Sequence, residues 1–167
     1  VDEFARVVEE AQPRWFLMEE VPYAPMPLVP GYHDYDVMLR DNEVGGVQPR
    51  ERRFTFGTLD YRMLNVVGWE QVGESNGKEK RSVTLAGHGL ALGQRLTMSG
   101  NHHAGRIDKD GVTYVANLED MCEAQGLPRD FTDGWPFTRH GKQLVIGNGV
   151  TMALGRAVAS AVRRAME

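Results

Sequence analysis

The feature that most constrains this chain is a continuous apolar run, Trp15-Phe16-Leu17-Met18. It is fenced by Pro13 on one side and by Glu19-Glu20-Val21-Pro22 on the other. The run is too short for a helix and lacks the alternation of a half-exposed strand, so it predicts a strand buried on both faces. Before it, Phe4, Val7, Val8 and Ala11 recur at helical spacing, with Asp2, Glu3, Arg6, Glu9 and Glu10 on the other faces. Residues 1–12 therefore read as an amphipathic helix that Pro13 stops. Helix, short loop and buried strand make half of a βαβ unit, so the expected class is α/β. Ligands of open α/β sheets bind beyond the carboxyl ends of strands, which is where Glu19 and Glu20 stand.

Further along, Pro22, Pro25, Pro27 and Pro30 stiffen an extended loop. Tyr35, Val37 and Leu39 alternate with Asp36, Met38 and Arg40. After the Gly45-Gly46 turn, Arg52, Phe54 and Phe56 recur with the same spacing. These predict two strands that pair as an antiparallel hairpin beyond the parallel strands. Glycine, 19 of 167 residues, concentrates in residues 58–112, where it breaks short β-like pieces at 81–85 and 94–98. That segment reads as a small β-rich insertion with a slight excess of basic charge, the sign expected of a module facing phosphates. Asn117 followed by Glu119 and Asp120 predicts a helix start, and Gly126 before Pro128 predicts its end. Residues 143–146 read as a last strand, leading into Gly147-Asn148-Gly149. Val150, Leu154, Ala157, Val158, Ala161, Val162 and Ala165 then form the core stripe of a final helix.

Composition removes several classes of function. The single cysteine, Cys122, rules out a disulfide framework and a cysteine-based zinc cluster within one chain, and points to a reducing, cytoplasmic setting. A net charge of −4 gives no global basic field. No apolar run approaches the ~18 residues of a membrane span and no signal-peptide pattern opens the chain, so no membrane partner is expected. His102 and His103 would point to opposite faces of a strand, and no metal site is expected from them.

Two strings carry chemistry. In Gln48-Pro49-Arg50-Glu51-Arg52-Arg53-Phe54, strand alternation puts Gln48, Arg50 and Arg52 on one face, where two guanidiniums and an amide can read a planar polar ligand or a phosphate. The plainer reading is a solvated basic edge strand. In Phe16-Leu17-Met18-Glu19-Glu20-Val21-Pro22 the plainer reading is a buried strand running into a polar loop.

Taken in order, these strings resemble the motifs of the DNA cytosine-5 methyltransferase family. Glu19-Glu20-Val21-Pro22 is similar to its Glu-Asn-Val-Pro motif. Gly31-Tyr32 and then Gln48-Pro49-Arg50-Glu51-Arg52-Arg53-Phe54 are similar to its Gly-Tyr segment and Gln-x-Arg-x-Arg-x-Phe motif. Gln125-Gly126-Leu127-Pro128 with Phe131 resembles its Gln-Gly-Phe-Pro region. Gly147-Asn148-Gly149-Val150 resembles the Gly-Asn-(Ala/Ser)-Val motif before its last helix.

The resemblance implies an α/β fold: the C-terminal part of a Rossmann-like, S-adenosylmethionine-dependent methyltransferase domain with a small β-rich target-recognition insertion. Residues 1–57 would belong to the catalytic domain, 58–112 to the recognition module, and 113–167 would return to the catalytic domain, both flanks packing as one unit. It implies methyl transfer from S-adenosylmethionine to carbon 5 of a flipped cytosine in double-stranded DNA, in a bacterial or phage-encoded cytoplasmic protein. The catalytic set would be Glu19, Arg52 and Arg50. Glu19 would serve ring nitrogen 3, with the raised pKa that burial at a strand end can supply. Arg52 would clamp oxygen 2, and Arg50 with Gln48 would brace the site. Asn148, Gly149 and Val150 would contact the cofactor, and Gln48, Lys80, Arg81 and Arg95 the DNA.

The chain also departs from the family's pattern. Glu20 replaces the motif asparagine, Tyr114-Val115-Ala116-Asn117 stands where the family carries Arg-x-Leu-Thr, and Asp120 replaces the usual glutamate. Neither the Phe-x-Gly-x-Gly cofactor loop nor the Pro-Cys nucleophile motif is present, and Cys122 falls inside a helix as a packing residue. The expectation is therefore a part of a methyltransferase that needs a complementary N-terminal half. The alternative is a non-catalytic DNA-binding or partner-binding module derived from that family.

Overall fold

A computed structural model describes residues 1–46, 48, 50–67, 106–109 and 112–167. Its elements are α1 (Asp2–Ala11), β1 (Trp15–Glu20), β2 (His33–Arg40), a 3-10 turn (Asp41–Val44), β3 (Glu51–Thr58), β4 (Arg106–Lys109), β5 (Val112–Val115), α2 (Leu118–Ala124), α3 (Arg139–Asn148) and α4 (Met152–Met166). They fall into two compact units. One comprises residues 1–39, 51–67 and 157–167, and the other residues 40–50 and 68–156. α2 and α3 group with residues 40–50 in the second unit.

The first unit is built on a three-stranded antiparallel sheet of order β1-β3-β2. β1 runs antiparallel to β3, with Phe16 opposite Gly57 and Glu19 opposite Phe54. The half-βαβ reading is corrected here, since no parallel pairing occurs among the described residues. An apolar run specifies that a strand is buried, not which way its neighbour runs. Burial of β1 is also more one-sided than expected. Phe16 and Met18 are buried while Trp15 is 39% exposed.

On the Phe16 face, α1 contributes Ala5 and Val8, and the proline-rich loop adds Val29 and Tyr32. The Phe16 ring meets Phe4 edge-on at 5.6 Å and Tyr32 at 5.3 Å, and the Tyr32 hydroxyl donates to the Pro13 carbonyl. Gly57 is what lets Phe16 lie flat on β3, because a Cβ at that position would come within 2.2 Å of two Phe16 ring carbons. Gly57→Ala should therefore destabilise the chain by about 1–3 kcal/mol through overpacking, read as a lowered urea midpoint. An unchanged midpoint would mean the ring has room to move.

The second unit contains the β4–β5 hairpin, with Arg106 opposite Val115. The β-like pieces expected at 81–85 and 94–98 lie outside the described residues. α2 starts and stops where its local signals put it. The Asn117 side chain accepts from the Asp120 amide, the Asp120 carboxylate accepts from the Asn117 amide, and Gly126 turns the chain at φ +76°. The strand expected at 143–146 is instead the second half of α3. Thr138 caps this helix by accepting from the Gly141 amide. Leu144-Val145-Ile146 is a short apolar run that fits either state, and Ile146 and Gly147 are buried while Val145 is exposed, as on a helix.

α4 buries Leu154, Val158, Ala161 and Val162, most of the expected stripe. Val150 lies before α4 and is exposed. The break at 149–151 divides the apolar stretch 139–166 into helices of 10 and 15 residues, each shorter than the ~20 residues of a membrane crossing.

Candidate functional site

In the first unit, pairing of β1 with β3 brings the two expected catalytic side chains together. Directly opposed residues of an antiparallel pair share a face, so Glu19, Phe54 and, by alternation, Arg52 project to the same side. Arg52 Nε lies 2.8 Å from Glu19 Oε1, in an ion pair that is mostly but not wholly shielded, with the side chains 14% and 29% exposed. A terminal nitrogen of Arg52 also donates to the Glu51 carbonyl at 2.8 Å, which fixes the guanidinium plane at the strand end. Glu20 stands opposite Arg53, on the other face of the sheet from Glu19. The two adjacent carboxylates are thereby kept apart.

The residues after β1 form a loop that cannot extend the sheet, because prolines lack the amide donors a ladder needs. Its carbonyls find another donor in Arg53. This nearly buried guanidinium donates to Ala24 and to Pro25 at 2.9 Å, with Pro22 at 3.5 Å, while its Nε stands 3.8 Å from Asp36. Arg53 thus anchors the chain just beyond Glu19. Sequence reading missed this role, although four prolines in nine residues were the signal that a donor was needed.

Arg50 and Gln48 belong to the second unit and are bracing residues. Arg50 is almost fully buried and donates from its two terminal nitrogens to the carbonyls of Gly147 at 2.6 Å and Asn148 at 3.2 Å. These carbonyls close α3, where helical partners run out and the dipole is negative, so a guanidinium suits them. In this position two of its donors serve backbone, as the expected bracing role requires. Gln48 is also buried, its amide donating to the Ala124 carbonyl at 2.6 Å. That contact suits its expected bracing role.

Gln125 adds a third support to the end of α3, donating to the Ile146 carbonyl at 2.7 Å. Asp41, fully buried, accepts from the Gln48 amide at 2.9 Å and from the Thr151 hydroxyl. Neither Gln125 nor Asp41 was singled out for this from sequence, because their partners lie far along the chain.

Asn148, Gly149 and Val150 are exposed at the end of α3. Lys80, Arg81 and Arg95 lie outside the described residues, as do His102 and His103.

Cys122 is fully buried against Ala116, Met121 and Ile146, and burial is the main cause that pushes its thiol up, with the nearby Glu119 carboxylate adding to it. A nucleophilic thiol needs the opposite environment. Native chain should resist a thiol-disulfide reagent at neutral pH and react only once unfolded. Prompt modification of folded protein would show that Cys122 is accessible after all.

No protein-family model matches the sequence, and no curated protein matches it. Among solved structures the chain is similar to the Entamoeba histolytica methyltransferase EhMeth, with a TM-score of 0.61 over 93% of this chain at 12% identity. The chain spans 64% of the length of that neighbour. At this identity the likeness is one of fold: a mixed α/β chain that folds like a methyltransferase.

Proposed function

We propose that this chain is the base-handling part of a DNA cytosine-5 methyltransferase, the C-terminal portion of a Rossmann-like domain. The observation that carries the reading is the Glu19–Arg52 pair. A carboxyl and a guanidinium stand 2.8 Å apart at a strand end, on residues that match the family's two motifs in order. The fold likeness to a methyltransferase supports it.

Cytosine entering this site offers ring nitrogen 3 and oxygen 2 as neighbouring acceptors. Arg52 exchanges the Glu19 carboxylate for oxygen 2, and Glu19, released from the ion pair, takes up a proton from water and shares it with nitrogen 3. Both contacts hold charge off the ring while carbon 6 is attacked by a thiolate. That thiolate comes from outside these 167 residues, since Cys122 is buried and its proton is held tightly. S-adenosylmethionine supplies the methyl group when bound. Asn148, Gly149 and Val150 fit one edge of its site, because they are exposed while the backbone beneath them is fixed by Arg50. Lys80, Arg81 and Arg95 would contact DNA phosphates, and each Lys80→Ala or Arg81→Ala change should lower the salt slope of duplex binding by about 0.9.

The test is transfer of labelled methyl groups from S-adenosylmethionine to duplex DNA. The chain alone should transfer none. With a complementary chain carrying a Pro-Cys motif it should, and Cys122→Ala should not matter. Transfer by the chain alone would refute the assignment of the nucleophile. DNA binding without transfer in the presence of the complement would favour a non-catalytic module.

A further inference from the structure

A second surface, in the unit that holds α2 and α3, carries a different set of residues. Trp135 packs inward against the cluster of Ala116, Met121, Cys122 and Ile146. Phe131 and Phe137 stand edge-on to it, with ring centres 5.5 and 6.1 Å away, and are 43% and 54% exposed. The central ring is thus fixed by the core while its two neighbours face water. Phe137 lies against the first turn of α3, where Gly141 leaves room for it, since a Cβ there would sit 3.3 Å from Phe137 Cβ.

That same turn carries Arg139, His140 and Lys142, with no acidic residue among them. Cations at a helix start oppose the helix dipole and cost stability. Neither Arg139 nor Lys142 is paired with a carboxylate among the described residues. Arg129, by contrast, is held by Glu123 and Asp120.

We infer that Phe131, Phe137, Arg139, His140 and Lys142 dock a single-stranded stretch of nucleic acid, its bases on the rings and its phosphates on the first turn of α3. Such a strand combines flat apolar faces with regularly spaced negative charges, and so matches both halves of the surface. An acidic polypeptide matches the cations and leaves the rings unused, and a duplex hides its base faces. Asp130 and Asp133, exposed beside Phe131, keep phosphates to the α3 side. The surface does not depend on the Glu19–Arg52 reading, which concerns one cytosine.

The experiment measures fluorescence anisotropy of the full chain with a labelled thymidine oligonucleotide of about 20 nucleotides, a probe without cytosine. Binding should weaken as salt rises. Arg139→Gln with Lys142→Gln should lower the slope of log affinity against log salt by about 1.4, two phosphates at ~0.7 each. Phe137→Ala should weaken binding about fivefold or more and leave the slope unchanged, and Lys142→Arg should retain binding. Crosslinking of an iodouracil-substituted strand should map to residues 131–142. No binding, crosslinks confined to other segments, or equal affinity for polyglutamate would overturn the proposal. So would variants that bind like wild type while giving the same circular dichroism spectrum.

Discussion

Glu19→Gln should lower methyl transfer by about 10²–10⁴-fold in chain supplemented with its complement, the range set by loss of a positioned proton donor. Glutamine keeps the shape and can still donate a hydrogen bond, but it has no acidic proton to give to ring nitrogen 3. Arg52→Ala should cost about 10²–10³-fold, as removal of one charge-stabilising donor does. Both losses should fall on turnover rather than on DNA affinity. The pair is mostly shielded, so either variant should also lose about 1–3 kcal/mol of stability, more than an exposed pair costs. Equal turnover of Glu19→Gln and wild type would remove Glu19 from the chemistry.

Arg50→Met should act on stability. It removes the donor to the Gly147 carbonyl, which is buried, and to the Asn148 carbonyl at the end of α3. A buried acceptor left without a partner costs about 1–3 kcal/mol, so the expected destabilisation is about 2–4 kcal/mol with water partly serving Asn148. Amide hydrogen exchange in α3 should accelerate, and the urea midpoint should fall. Arg50→Lys should recover part of the loss, since one ammonium cannot span both carbonyls with the guanidinium's geometry. A midpoint unmoved by Arg50→Met would mean that these carbonyls have other donors.

These two arginines, two residues apart, show what the sequence could and could not say. Gln48-Pro49-Arg50-Glu51-Arg52 pointed to both as a unit, and alternation alone would put them on one face. Their partners differ because β3 begins at Glu51, so that alternation holds for Arg52 and not for Arg50. The partners of Arg50 are 97 and 98 residues away, a separation no local pattern encodes. The Glu19–Arg52 contact needed the register of β1 on β3, although the motif order had already put both residues in one proposed site.

Local signals did best where the physics is local. Asn117, Asp120 and Gly126 bound α2 because caps and turns act within a few residues. α3 escaped because Leu144-Val145-Ile146 is rich in β-branched residues, while its deciding features were a Thr138 cap and three supports on its final carbonyls. The Arg53 anchor escaped for a related reason: the need for a donor is visible in the prolines, but the identity of the donor is not.

The most direct test is the chemical identity of the methylated product. Duplex DNA methylated by the chain with its complement is digested to nucleosides and analysed by mass spectrometry. The Glu19–Arg52 site predicts 5-methyldeoxycytidine, absent when Glu19→Gln is used. N4-methyldeoxycytidine or N6-methyldeoxyadenosine in its place would contradict the account, because neither is made by attack on cytosine carbon 6.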